Sequence, residues 1–118
     1  MPGALRISST SGVAAMNVAT NEFATQTTNT GVGHFFIAPI VEAIPLYAPS
    51  VPASTVATWK SRMSTAVPQT GPANNQRTYW MKGQLERAQA GLISMSTAVS
   101  DIETNWINNQ KARIDRTR

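Results

Sequence analysis

Hydrophobic positions in the last third of the chain recur every seven residues. Leu85, Leu92, Val99 and Trp106 form one column, and Met81, Ala88, Met95 and Ile102 form the interleaved one. This is the a/d pattern of a helix that lies along other helices. With Leu85 at a, the g positions include Gly91 and Ala98, small enough for close backbone approach. The e positions Lys82, Gln89, Ser96 and Glu103 carry too few charges to fix pairing by salt bridges. A second apolar column, Ile93, Ile107 and Ile114, lies at b. Two apolar faces predict several neighbours, as in an oligomeric bundle, rather than a two-stranded coil.

Upstream, Val56, Trp59, Met63 and Val67 fall at i, i+3, i+7 and i+11 and predict a short helix over 53–67. Pro68 ends it, Gln69–Pro72 is turn chemistry, and Asn74 or Asn75 suits an N-cap. A second helix is expected over 73–115. Some 40 residues span roughly 60 Å, longer than a compact domain of this size is wide. Its far end needs a partner, or the helix breaks, and Gly83 and Gly91 are the places for that. The expected arrangement is an intrachain hairpin near the turn, with packing between subunits beyond it.

The first 52 residues show no such periodicity. Residues 1–33 are rich in Ser, Thr, Asn, Ala and Gly, and Thr25–Gly33 lacks any apolar repeat. Thr and Asn disfavour helix interiors, so an extended, irregular arm is expected, with at most a short helix near Val13–Phe23. Residues 34–52 are apolar but carry Pro39, Pro45, Pro49 and Pro52. Those prolines argue against a continuous helix or a central strand. The expectation is a hydrophobic ribbon, with Phe35, Phe36, Ile37, Ile40, Ile44, Leu46 and Tyr47 docking onto the chain's own helices or onto a neighbour. The fold class predicted is mainly α: an arm and ribbon over 1–52, then a helical hairpin over 53–118.

Composition sharpens this. Charged residues are 14% of 118, whereas Ser, Thr, Asn and Gln make up 38 positions. A surface of amides and hydroxyls repels copies of itself poorly, which favours an assembly. The net charge of +4 sits in the C-terminal part. Lys111, Arg113, Arg116 and Arg118 are candidate phosphate contacts. Cations at a helix C-terminus are also favoured by its dipole, without any ligand. Tyr79 and Trp80, with Arg77 and Lys82 nearby, could stack on bases or plug the hairpin opposite Trp59. No continuous apolar core marks a signal peptide, and no run is long enough to span a membrane. The ribbon lacks the basic face of an interfacial helix, which argues against a membrane partner. A virion or a cytoplasmic assembly is the expected location.

Catalytic constellations do not emerge. With no cysteine, disulfides and cysteine-based metal sites are excluded. His34 is the single histidine and stands beside Phe35 without nearby carboxylates. Glu86 adjoins Arg87, and Asp101 and Glu103 project to different sides of a helix, so no acid/base pair is apparent. Gly31-Val32-Gly33 lacks the third glycine and the lysine of a phosphate loop. The expectation is a non-enzymatic structural component of a large homo-oligomeric or mixed assembly, without cofactor. A tailed-phage virion part, in the head–tail junction, tail or ejection channel, is its most concrete form. The alternatives are a small basic nucleic-acid-binding protein and a secreted helical-hairpin effector that works with a partner.

Overall fold

The computed structural model describes residues 2–25, 33–65 and 74–107, and it is mainly helical. In chain order the elements are α1 (Pro2–Thr25), α2 (Gly33–Tyr47), a 3₁₀ turn (Ala48–Ser50), α3 (Ala53–Thr65), α4 (Asn74–Gln89), α5 (Met95–Ile102) and a π-helical turn (Glu103–Ile107). No strand occurs among the described residues. The molecule is elongated, with extents of 59 × 25 × 25 Å.

The expected arm is a helix of 24 residues. Val13, Met16, Thr20 and Phe23 recur at helical spacing, and the last three are buried. The poor helix formers are accommodated by local bonding. Thr20 Oγ1 donates to the Met16 carbonyl at 2.7 Å, so a buried hydroxyl costs little. From α3, Trp59 Nε1 donates to Asn17 Oδ1 at 2.7 Å. Arg62 donates to the Asn17 carbonyl at 3.1 Å and to Thr20 Oγ1 at 3.2 Å. The asparagine and threonine that lowered helix propensity are therefore the residues that hook α1 to α3. Of the polar Thr25–Gly33 stretch, residues 26–32 lie outside the described residues.

The proline-punctuated ribbon is also corrected: residues 33–47 form α2, with Pro39 and Pro45 inside it. Both prolines are exposed. Ile37, Ala38, Ile40, Val41 and Ile44 form the opposite, buried stripe. Each internal proline costs about 3 kcal/mol. Burying each of the four branched side chains contributes about 1.5–3 kcal/mol, so the stripe outweighs two interruptions. Beyond Tyr47 the prolines act as expected. Pro49 sits in the 3₁₀ turn, and Val51, ahead of Pro52, is extended at φ −132°, ψ 160°.

Helix α2 is the centre of the molecule. It lies along α4 most extensively and also touches α1 and α3. Gly83 allows the close α2–α4 approach, since a Cβ there would stand 2.9 Å from Ile37 Cγ2. The core joins Met16 and Phe23 of α1, the α2 stripe, and Trp59 and Met63 of α3. The short helix over 53–67 is thus present as α3, with Trp59 and Met63 at full burial. Val67 and the turn 69–72 lie outside the described residues.

The single long helix over 73–115 is replaced by α4 and α5. Gly91, at φ +77°, ends α4 in the left-handed conformation that glycine adopts without penalty. Leu92 N–H donates to the Arg87 carbonyl at 2.8 Å and Gly91 N–H to the Ala88 carbonyl at 3.0 Å. That pair is a Schellman closure. Ser94 then caps α5, its Oγ accepting from Thr97 N–H at 3.1 Å.

Across this break runs a buried polar network. Arg87, 3% exposed, donates through Nε to the Met63 carbonyl and through Nη2 to the Ser64 carbonyl, each at 3.0 Å. Its Nη1 donates to Gln84 Oε1 at 2.7 Å, and Gln84 Nε2 donates to Asp101 Oδ2 at 2.8 Å. One guanidinium therefore caps the C-terminus of α3 and, through Gln84, fixes α5. Burial pushes the Arg87 guanidinium below its ordinary pKa, while Asp101 pulls it back up. Replacing Arg87 with Ala removes its bonds to the two carbonyls and to Gln84 Oε1, and the expected loss of unfolding free energy is about 3 kcal/mol in urea titration. Arg87→Lys keeps the charge but not the fork, and should recover only part of that loss.

Candidate functional site

The heptad seam does not form the buried face of α4. Trp80, Gly83, Gln84 and Arg87, spaced i, i+3, i+4 and i+7, occupy it. Met81, Leu85 and Ala88 flank this face at half burial. Leu92 leaves the helix in the Gly91 turn and packs against the core. On α5, Ala98 and Ile102 point inward, whereas Met95 and Val99 are 48% and 49% exposed. The seam thus splits at Gly91: its first half borders the intrachain core, and beyond the turn Leu92 and Ile102 stay inside while Met95 and Val99 face out. The Trp106 side chain and the cations Lys111, Arg113, Arg116 and Arg118 lie outside the described residues.

The ribbon residues divide as well. Ile37, Ile40 and Ile44 are core. Tyr47 packs edge-on to Trp59 with ring centroids 6.4 Å apart. Phe35 meets Tyr79 edge-on at 5.0 Å. Phe36 and Leu46 point outward, at 50% and 77% exposure. Trp80 is buried, and its Nε1 has no hydrogen-bond partner among the described residues. Its ring is therefore closed to a nucleobase, and the Tyr79-Trp80 pair is not a two-ring stacking platform. Among the described residues the Trp59 ring meets Tyr47 rather than this pair, and its Nε1 hooks α1 through Asn17.

Two grooves flank the core. A polar one of about 640 Å³ lies between α1 and α3, lined by Asn17, Asn21, Glu22, Thr58 and Arg62 among others. An apolar one of about 380 Å³ opens where α2, the 3₁₀ turn and α3 meet the Gly91 turn. Ile44, Pro45, Val56 and Leu92 wall it, with Lys60 as its cation. The Pro45 ring forms a wall here without presenting a backbone donor, because proline has no N–H. The polar groove is the larger of the two, yet its walls include the hydrogen-bonding residues that hold α1 to α3. The apolar groove has the character of a binding surface: mostly hydrocarbon with one placed charge.

Among the described residues, the one perturbed carboxyl lies elsewhere. Burial pushes Glu86 up from an ordinary 4.5 to about 7, the neighbouring Glu42 adds to the shift, and Lys82 opposes it. Glu86 Oε2 is closed to solvent without a hydrogen-bond partner among the described residues, a poor setting for a charge. Lys82 Nζ meets Glu42 Oε1 at 3.6 Å in an ion pair about half exposed on both sides, which contributes little. A carboxyl that titrates near neutrality suits proton transfer in principle. Neither groove is lined by Glu42 or Glu86, however. Their pairing is a property of the α2–α4 contact. Among the described residues, no cluster of three metal-ligating side chains forms, and no helix is long and apolar enough to cross a membrane.

Comparison with known protein families, with curated proteins and with solved structures returned no match.

The Glu86 carboxyl gives a signed pH dependence. Its proton is held more tightly in the folded state, so its contribution is fully present below pH 4.5 and is lost as pH rises through about 7. Glu86→Gln, which carries no titrating charge, should flatten the fall in thermal stability over that window. At pH 8 it should exceed the wild type by about 1 kcal/mol after solvent screening. Thermal melts of both proteins across pH 4–8 check this.

Proposed function

We propose that this chain is a non-enzymatic structural component of a multi-subunit assembly. The observation that carries the reading is the pair of seam residues that faces outward on α5. Met95 and Val99 lie one helical turn apart on a single face of α5, each about half exposed, although their spacing continues a pattern suited to helix packing. A monomer gains nothing by presenting such a stripe to water. An assembly gains by covering it. Phe36, Leu46 and Val18 add further large apolar groups at the surface.

Shape supports the same reading. The radius of gyration is 16.2 Å, against roughly 13–14 Å for a compact domain of this length. An elongated helical body with little charge has much side surface per residue to share with neighbours. A tailed-phage virion part is the most concrete form of the proposal, and the polar, weakly charged composition is what supports it. The partners proposed are other copies of this chain and other subunits of the same particle.

Light scattering coupled to size exclusion tests the proposal. The expected result is a species several times the 12.7 kDa chain mass at micromolar concentration. A monodisperse monomer there would overturn it.

A further inference from the structure

We propose that the outward face of α5 from a second copy of this chain fills the apolar groove beside Lys60, with Lys60 paired to the partner subunit's Glu103. The inference deepens the assembly reading above and rests on it.

Met95, Val99 and Glu103 stand at i, i+4 and i+8, all exposed. Glu103 keeps helical dihedrals at φ −60°, ψ −49°, so the three share one face. The ridge is two apolar groups followed by a carboxylate, roughly 12 Å long. The groove presents the complementary chemistry: an apolar bed that includes Ile44, Pro45, Val56 and Leu92, with Lys60 in its lining. Its volume of about 380 Å³ lies in the range of sites that bury apolar ligands. Among the described residues, neither Lys60 nor Glu103 makes an ion pair within its own chain.

Charge selects the occupant. The segment carrying Lys111, Arg113, Arg116 and Arg118 has the same sign as Lys60, so complementarity disfavours it in this groove. Residues 95–103 carry Asp101 and Glu103 and no cation. Asp101 is engaged with Gln84, which leaves Glu103 as the carboxylate for Lys60. Ridge and groove are different surfaces of one protomer. A contact between them is heterologous, and repetition builds a ring or a filament, whereas reciprocal docking closes a dimer.

Charge exchange tests the contact. Sedimentation velocity is run on the full-length wild type, Lys60→Glu, Glu103→Lys and the double variant, with folding checked by circular dichroism melts. Both sites are solvent-facing, so the melts should coincide. Each single reversal should weaken association at least tenfold, and the double variant should restore it. A merely structural role for either residue would give no such rescue. If the wild type assembles and neither reversal changes its mass, this contact is wrong while the assembly reading stands. A wild type that sediments only as a monomer overturns both. Saturable binding of decanoate to that monomer, seen as resonance shifts at Val56 and Leu92, would give the groove to a small amphiphile and would likewise overturn the proposal.

Discussion

The Arg87 guanidinium is the point on which three helices depend. Its fork satisfies the Met63 and Ser64 carbonyls at the end of α3, where unpaired acceptors accumulate in any helix. The same group anchors Gln84, and Gln84 anchors Asp101 of α5. An arginine placed at 3% exposure is stabilising only while every donor is engaged, because its desolvation is otherwise uncompensated. The network therefore enforces a geometry more than it adds cohesion. If α3 slid along α4, the carbonyls would miss the fork. If α5 rotated, Asp101 would leave Gln84. The apolar core around Ile37, Trp59 and Met63 supplies most of the driving force, but such contacts tolerate sliding. The polar fork does not.

That division explains how the molecule can keep an apolar surface outside. The α4–α5 break at Gly91 turns α5 relative to the preceding helix, and the Arg87–Gln84–Asp101 chain holds α5 by its inner face. Met95 and Val99 are left facing away. Had α4 continued straight, the whole seam would have lain on one line, and any partner would have needed a matching long helix. The broken form instead offers a short ridge near a short groove, a more local requirement. The assembly reading draws on this arrangement.

Much of the secondary structure was legible from spacing. Trp59 and Met63 announced α3 through their four-residue step, and Gly91 stood out as a place to end a long helix. The N-terminal half was less legible. Helix α1 is held by the buried Met16, Thr20 and Phe23 and by bonds from Trp59 and Arg62, both distant in sequence, which no local propensity reports. The prolines of α2 are real helix breakers whose local cost is outweighed by a buried aliphatic stripe. The stripe was visible in the sequence; what was not visible was that α4 would accept it at Gly83. The seam on α4 misled in register. Its apolar columns border a face whose centre is Trp80, Gly83, Gln84 and Arg87, and polar side chains at a buried centre are indistinguishable by pattern from solvent-facing ones. With one helix expected over 73–115, Arg87 carried no mark of a helix end, and the end it serves is that of α3, distant in sequence. The groove joins four segments, so its cation, Lys60, had no signature in the sequence.

Helix α2 also sets how the chain must fold. It is the most central element and the least autonomous. Pro39 and Pro45 remove two rungs of its hydrogen-bond ladder, so the isolated segment has little tendency to nucleate, and nucleation is the costly step for any helix. Its order comes from docking, onto a surface that α1, α3 and α4 must already partly provide. A centre of this kind couples the outer helices to one another: α1, α3 and α4 all lose packing when α2 melts. The expected behaviour is one cooperative transition with few partly folded states, even in a body that is long and thin.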